Sequence, residues 1–263
     1  MAERSLPVPF RGGGFEPRRI RHAALVSFCL LLVVWQASAS LGWVSQLTLP
    51  GPLRILDALW AMTASGELFR HLGASLYRLI IGWSLGAVAG LALGLAIGMS
   101  SLARSVGIPM VSALFPIPKI AMLPLFILWF GIGEPSKVAT IALGTFFPTA
   151  INAYAGVDAV PRSLVRMAQS FGLSTTAIVR TVILPGALPG MLAGIRISSS
   201  IALVLLVAAE MIGAEHGVGA MVLQAGNLMR TDRLMAGVVL LSVLGLLVSA
   251  VISRLELRLL RWR

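Results

Sequence analysis

Long apolar runs alternate with short polar stretches along most of the chain. A bilayer core about 30 Å thick requires about 20 apolar residues per helix, and several runs reach that length. One of them, interrupted by prolines, ends near Gly133. The uninterrupted runs cover about residues 23–40, 75–99, 135–156, 188–213 and 235–253. The pattern predicts an all-α integral membrane protein with about six transmembrane helices.

The second run carries small residues at regular spacing. Its glycines recur every four residues, at Gly82, Gly86, Gly90, Gly94 and Gly98. Small residues at this spacing let two helices approach closely in lipid. We interpret the series as a helix-packing surface, since it indicates no particular chemistry.

The proline-interrupted run predicts a broken helix. It contains Pro109, Pro116, Pro118 and Pro124. In lipid, the carbonyls freed by such breaks must be satisfied by protein groups or by a water-lined cavity. Trp129 and Phe130 follow the last proline. Each could be either an interfacial anchor or a side chain of the pore wall.

Composition agrees with a membrane protein and excludes a soluble domain. Hydrophobic residues make up 57% of the chain and charged residues 12%, with a mean hydropathy of +0.92. The net charge of +11 comes from basic residues that lie between apolar runs, which argues against a nucleic-acid-binding role. The single cysteine, Cys29, lies within the first run, where a free thiol is usually a small apolar side chain.

The two ends are basic. Residues 1–22 are rich in Arg, Gly and Pro, and residues 254–263 form a basic amphipathic tail. We read the first run as a retained signal anchor, because it is long and lacks a clear cleavage site. More arginines fall in the two ends and in residues 157–187 than on the opposite side, so the positive-inside rule predicts that both termini are cytoplasmic.

A mixed segment between the first two long runs predicts an amphipathic helix. It starts near Pro50 and Pro52, and Leu56 and Trp60 share its apolar face. Such a helix lies outside the bilayer or at its surface.

A second polar interruption, residues 157–187, predicts two short helices. Pro161 suits a helix start, and Gly172 suits a left-handed helix end. Ser174 can then cap a second helix, which we expect to end before Pro185. From the residues alone this is either a cytoplasmic docking element or a helix pair resting on lipid.

The interruption resembles the signature loop of bacterial ABC-importer permeases. The resemblance is carried by Ala168, Gly172 and the Ile183-Leu184-Pro185 end, while Arg166 stands where that family usually has Glu. The stretch Leu123–Val157 and the sequences LPGPLRILDALW and AEMIGAEHGVG resemble the nitrate, sulfonate, taurine and bicarbonate branch. MAQSFGLS and VILPGALPG resemble its aliphatic sulfonate permeases in particular.

The resemblance implies a type I ABC-importer permease fold (MetI-like) and a set of partners. Two permease copies would form the pore, two ATPase subunits would bind ATP and Mg, and a periplasmic binding protein would deliver the solute. The loop would form a coupling helix that seats on the ATPase. The implied coupling residues are Arg166, Met167, Ala168, Gln169, Ser170, Phe171, Gly172, Leu173 and Ser174.

Further candidates lie near the pore or gate. Glu210 is the acid nearest a predicted span and should sit at its outer boundary. There it could belong to a gate, anchor a helix end, or pair with Arg230 or Arg233. Ser198 and Ser199 could line the pore or hydrogen-bond between helices.

Two other function classes fit less well. A membrane-embedded enzyme would need acid pairs, a Ser/His pair or a His cluster inside the spans, and the three histidines are scattered along the sequence. For such an enzyme the sequence offers only Glu210, near one span end. A secondary transporter would carry internal repeats and intramembrane charges for ion coupling, and the sequence indicates neither. No phosphate-binding glycine loop occurs, so we expect no cofactor on this chain and a separate ATPase.

Overall fold

The computed structural model describes residues 22–262, so nearly all of the predicted basic arm, and Arg263, lie outside the described residues. Within them the structure is helical and has no strand. A 3₁₀ helix, Lys119–Met122, and a π-helical turn, Val179–Ile183, accompany the α-helices. The α-helices are α1 Ala23–Ser40, α2 Pro52–Ala64, α3 Glu67–Met99, α4 Ser101–Leu114, α5 Leu123–Phe130, α6 Glu134–Asp158, α7 Arg162–Ser170, α8 Thr175–Ile178, α9 Leu184–Gly213, α10 Val218–Asn227 and α11 Thr231–Leu259.

Most of the long helices meet the length and hydropathy of a membrane span. In residues 22–262 these are α1, α3, α6, α11 and the continuous stretch Thr175–Gly213, which runs from α8 to the end of α9. The pair formed by α4 and the segment Lys119–Phe130 brings the count to six if it is one broken span. The structure therefore agrees with the predicted number of spans.

The chain divides into a smaller unit ending at Arg54 and a larger unit beginning at Ile55. In the smaller unit, α1 has the bounds predicted from the first apolar run. The Gln36 side chain of α1 accepts a hydrogen bond from the Leu53 backbone amide at 3.1 Å.

The amphipathic helix was predicted in the right place. In α2 the side chains of Leu56 and Trp60 are exposed, as expected for a surface that meets lipid or the interface. Ile55, Ala58 and Met62 are buried on the other face. Gly66, in the left-handed conformation, separates α2 from α3. The helix α3 begins at Glu67, several residues before the start of the predicted span.

The glycine series of α3 packs directly on α6, which confirms its interpretation as a packing surface. A Cβ atom added at Gly90 would lie 2.5 Å from the Phe146 carbonyl oxygen, and one at Gly94 would lie 2.4 Å from the Ala150 oxygen. Such distances leave no room for any side chain. The two helices therefore contact each other backbone to backbone, at the centre of the larger unit.

The proline-interrupted run is broken as predicted. Its two helical parts meet at an angle of 88°. At the break, Lys119 Nζ donates to the carbonyl oxygens of Leu114, Phe115 and Ile117, at 3.0, 2.6 and 2.7 Å. One lysine thus satisfies carbonyls left free at the break, which is the protein-based compensation that lipid demands.

The end predicted for the second cytoplasmic helix is wrong. The helix that starts at Thr175 does not stop before Pro185 but continues through the π-helical turn Val179–Ile183 into α9. The Leu184 amide bonds to the Val179 carbonyl across this wider turn. A widened turn directly before a proline gives its ring space without ending the helix.

Candidate functional site

The predicted coupling residues form one compact turn between α7 and α8. Gly172 has a φ of +73°, the left-handed conformation that glycine adopts without strain. Its amide donates to the Gln169 carbonyl at 2.9 Å, and the Leu173 amide donates to the Ala168 carbonyl at 3.2 Å. This pair of bonds is the Schellman helix end, so the predicted left-handed glycine is confirmed.

Ser174 starts the next helix as predicted. Its hydroxyl accepts from the Ala177 amide at 3.3 Å, which satisfies one of the free donors of α8. Arg166, Gln169 and Ser170 are exposed on α7, with the Ser170 hydroxyl donating to the Met167 carbonyl at 2.8 Å. The loop is thus rigid at both helix ends and presents its polar side chains outward.

An apolar surface lies beside this turn. Ala168 is buried, but the side chains of Met167 and Phe171 are 52% and 76% exposed. They border a groove of about 400 Å³. The other apolar side chains around it are Leu164, Leu173, Val182, Pro185 and Trp262. Exposed aromatic and methionine side chains around a groove are typical of a protein-binding surface, although their coupling role remains a prediction.

Glu210 is completely buried and hydrogen-bonded on several sides. Its carboxylate accepts from Arg78 Nη1 at 2.8 Å and from the Gly219 amide at 2.8 Å. Ser75 Oγ lies 2.8 and 3.0 Å from its two oxygens and also accepts from the Val218 amide. Glu210 therefore anchors the start of α10 to α3 and α9, because it satisfies amides that the first turn of a helix leaves free.

Arg78 joins this anchor to α6. Its Nε and Nη2 donate to both oxygens of Glu134, at 2.6 and 2.5 Å, while Nη1 also donates to the His216 carbonyl at 2.6 Å. We call Arg78, Glu134 and Glu210 the ion-pair cluster. The Arg78 side chain is 3% exposed, whereas that of Glu134 is 47% exposed.

The predicted partners of Glu210 were wrong. Arg233 pairs instead with Glu67, at 3.3 Å, and Glu210 pairs with Arg78. Two further buried charges were missed, since Arg78 and Lys137 are buried within α3 and α6. Each of these cations faces carboxylates of the cluster, so their charges are compensated.

Two histidines lie next to the cluster. The rings of His71 and His216 contact edge to face, with centroids 5.8 Å apart. His71 Nδ1 lies 3.0 Å from the Gly217 carbonyl oxygen and 3.1 Å from its amide. The fold thus brings together two histidines that are far apart in sequence. No group of three or more potential metal-ligating side chains forms in the described part of the chain.

The predicted pore residues occupy two different environments. Ser198 is buried and accepts a hydrogen bond from Trp83 Nε1 at 3.0 Å, and the buried Ser199 donates to the Arg196 carbonyl at 2.7 Å. The contact of Ser198 with Trp83 links α3 to α9. Trp129 and Phe130 are 60% and 53% exposed at the end of α5. Their pore or gate roles remain predictions.

A sequence signal for Arg78 existed. Arg78 lies four residues before Gly82, the first member of the glycine series, and therefore on the same helix face. A charge on the face that packs backbone to backbone must be buried, and hence paired. Nothing in the sequence pointed to Glu134 as its partner.

Comparison with known proteins agrees with this architecture. Residues 86–261 match the family described as "Binding-protein-dependent transport system inner membrane component". The chain is 24% identical to a solved structure of the MetNI methionine ABC transporter in an inward-facing conformation, with a TM-score of 0.62 over 73% of this chain and 95% of that one. An amino acid ABC transporter crystallised with histidines also gives a TM-score of 0.62 at 20% identity, over 76% and 98%. These likenesses show the predicted MetI-like fold.

Curated relatives match over nearly the whole chain. The SsuC protein of Bacillus subtilis (strain 168), assigned to aliphatic sulfonate transport, is 39% identical over 94% of this chain and 91% of its own length. The SsuC protein of Escherichia coli (strain K12) is 40% identical, over 88% of each chain. The taurine transport system permease protein TauC of E. coli is 38% identical, over 90% and 88%. The chain belongs to the family of binding-protein-dependent transport system inner membrane components.

Proposed function

We propose that this chain is the membrane-spanning permease of an ATP-driven importer of sulfonates, such as alkanesulfonates or taurine. The observation that carries the proposal is the 38–40% identity to SsuC and TauC proteins over at least 88% of the chain. Because the matches cover most of the chain, they support a shared function of the whole permease. Import of nitrate, bicarbonate or another small organic anion is the alternative within the same branch.

The proposed assembly contains two copies of this chain, two ATPase subunits and a periplasmic binding protein. ATP and Mg are bound by the ATPase, and this chain is non-catalytic. Closure of the ATPase dimer rocks the two permeases between inward-open and outward-open states, a mechanical coupling of two rigid-body states. Membership of the family supports the ATPase and the binding protein as partners.

The turn around Gly172 is the proposed docking element for the ATPase. Its support is the rigid Schellman end together with the exposed Met167 and Phe171 beside an apolar groove. A rigid element transmits motion, and exposed apolar side chains supply the contact area. The loop and both termini then lie in the cytoplasm of a bacterial inner-membrane protein, in line with the arginine distribution along the chain.

Uptake by proteoliposomes tests the function. The chain, its ATPase and its binding protein are reconstituted, and accumulation of labelled taurine and ethanesulfonate is followed with and without ATP. ATP-dependent uptake that excess nitrate does not inhibit is expected. Uptake that proceeds without the ATPase would favour a self-sufficient transporter, and nitrate uptake alone would favour the alternative solute.

Co-purification tests the docking element. Phe171→Asp places a charge on the exposed apolar surface, while Phe171→Leu keeps it apolar. The detergent-solubilised wild type and the Leu variant should retain the ATPase, and the Asp variant should lose it. Gly172→Asp should also lose it, because a side chain at a φ of +73° distorts the turn. Retention by all variants would contradict docking at this turn.

A further inference from the structure

A polar cavity lies where α3, α4, α6 and α7 meet, and its volume is about 510 Å³. This volume is within the range of sites that bind small ligands. At the cavity wall, Gly98 of α3 packs on Val157 of α6, since a Cβ atom added at Gly98 would lie 2.6 Å from the Val157 Cβ atom. The apolar runs 75–99 and 135–156 therefore end side by side here. The cavity thus lies at the level of the lipid headgroups, which flank the apolar core of the bilayer.

Two arginines and one aspartate border the cavity. Arg104 forms an ion pair with Asp158, and its Nε and Nη2 donate to the carbonyl oxygens of Ile97 and Gly98, at 3.3 and 3.4 Å. The charge of Arg104 is thus compensated by Asp158. Arg162 is exposed at the start of α7, and no carboxylate in residues 22–262 pairs with it. The cavity therefore carries one net positive charge, and the donors of Arg162 are available to a ligand.

The rim of the cavity suits a molecule that has both a polar and an apolar part. Ser100 and Ser101 border the cavity, and the Ser100 hydroxyl accepts from the Ala103 amide at 3.4 Å, which leaves its proton free to donate. Beside them in the chain, the side chains of Met99 and Leu102 are 45% and 77% exposed. A free anion needs only the hydroxyl and guanidinium donors, whereas a lipid also covers the exposed apolar side chains.

We propose that this cavity binds the phosphate headgroup of an anionic membrane lipid, with Arg162 as its charged contact. The inference goes beyond the proposed function and rests on it only for orientation, since a docked ATPase places the cavity at the cytoplasmic leaflet. Basic pockets between spans on that side attract anionic headgroups, and the acyl chains then lie along Met99 and Leu102. Val165 of α7 and Ile183 of the π-helical turn border the same cavity. The bound lipid therefore joins the segment that carries the coupling turn to the end of α3.

Lipid titration of the whole permease chain tests the site without a transport assay. The delipidated protein in a neutral detergent is titrated with phosphatidylglycerol, and the rise of its thermal unfolding midpoint is followed. Native mass spectrometry counts the lipids bound. Phosphatidylcholine has no net charge, so it should need about tenfold or more of the concentration for the same rise, the effect of losing one interaction with a charged group. Inorganic phosphate is added in a separate arm as the free anion.

Charge-removing and charge-conserving variants locate the binding. Arg162→Gln should raise the half-saturating concentration of phosphatidylglycerol about tenfold or more, whereas Arg162→Lys should keep it within about threefold of the wild type. Arg180→Gln is the matched control, because Arg180 is exposed in the same segment of the chain and does not border the cavity. It should bind the lipid like the wild type. Without lipid, all variants should unfold at the wild-type midpoint, since both arginines are exposed.

Four results would overturn the inference. Equal weakening by Arg162→Gln and Arg180→Gln would indicate a general attraction to a basic surface, and an equal response to phosphatidylcholine would show that the headgroup charge is not recognised. Displacement of the lipid by an equal concentration of inorganic phosphate would indicate a free-anion site. Loss of ATPase retention in Arg162→Gln with unchanged lipid binding would assign this arginine to the ATPase. Failure of sulfonate uptake is distinguishable, because the lipid titration uses neither the solute nor the ATPase.

Discussion

Arg78 Nη1 lies 2.8 Å from Glu210 Oε1, with the two side chains 3% and 0% exposed. The pair joins α3 to α9, and the remaining donors of Arg78 reach Glu134 on α6. Three long helices are thus tied at one level by a single guanidinium. We interpret the ion-pair cluster as a structural anchor. Arg78 and the nearby Lys137 balance its two carboxylates, and its hydrogen bonds are satisfied within the protein.

Glu210→Ala should strongly destabilise the protein. The substitution leaves Arg78 with Glu134 as its only carboxylate partner and frees the amide of Gly219 in a buried position. Removing one member of a buried ion pair costs about 3–5 kcal/mol. The loss is measured as the free energy of unfolding in a detergent titration, or as the yield of monodisperse protein.

Glu134→Gln is the matched control for this prediction. The Glu134 side chain is 47% exposed, and an amide still accepts one bond from Arg78. Its cost should be about 1 kcal/mol or less, as for exposed ion pairs. Equal losses for the two variants would contradict the anchoring role of Glu210.

Local features of the fold were predictable, and distant pairings were not. Gly172 and Ser174 were assigned from residue type alone, because a left-handed turn and a helix cap depend on neighbouring residues. The partner of Glu210 was missed, because Arg78 lies 132 residues away and only the packing of α3 on α9 brings them together. Pro185 misled for a further reason, since a π-helical turn absorbs a proline that otherwise ends a helix.

The contacts of Lys119 were also not predictable from the sequence. The prolines predicted a break with free carbonyls, and the break is present. Which group satisfies those carbonyls depends on how the chain folds back by 88°. A lysine at a span end reads as an ordinary flanking charge in sequence, whereas the bend moves it to the middle of α6.

Gly94→Ala should destabilise the contact of α3 with α6. The added Cβ would lie 2.4 Å from the Ala150 carbonyl oxygen and 2.5 Å from the Ala153 side chain, so the helices must separate. Overpacking of this kind costs about 1–3 kcal/mol. The free energy of unfolding in detergent measures the effect.

Gly73→Ala on the same helix gives the control. No atom lies within 4 Å of a Cβ atom at Gly73. Alanine is a better helix former than glycine by about 1 kcal/mol, so this variant should be as stable as the wild type or more stable. Equal free energies of unfolding for Gly94→Ala and Gly73→Ala would contradict a role of Gly94 in the close approach of α3 and α6.

Ser198→Ala should weaken the link between α3 and α9. Trp83 Nε1 loses the hydroxyl acceptor at 3.0 Å, and the expected cost is about 1 kcal/mol. A double-mutant cycle with Trp83→Phe isolates the pair, because the two substitutions should be less costly together than their sum. Ser200→Ala, at an exposed position on the same helix, should leave stability unchanged. Strict additivity in the cycle would show that the bond contributes nothing.

Trp262 should contribute to ATPase docking together with the coupling turn. Its indole lines the same groove as Met167 and Phe171, and it is held there by a bond from Nε1 to the Leu259 carbonyl at 3.0 Å. Exposed tryptophans beside a groove are frequent binding hot spots, at about 2 kcal/mol or more each. Trp262→Ala should therefore lower the affinity for the ATPase about tenfold or more, measured by titrating the ATPase onto immobilised permease.

Leu257→Ala is the control for Trp262. Leu257 is 74% exposed in the same C-terminal segment and does not border the groove. Its substitution should leave ATPase affinity unchanged, and neither variant should change the free energy of unfolding, because both side chains are mainly exposed. A loss of affinity in both variants would indicate that the whole tail contacts the ATPase. Unchanged affinity in Trp262→Ala would confine docking to the turn around Gly172.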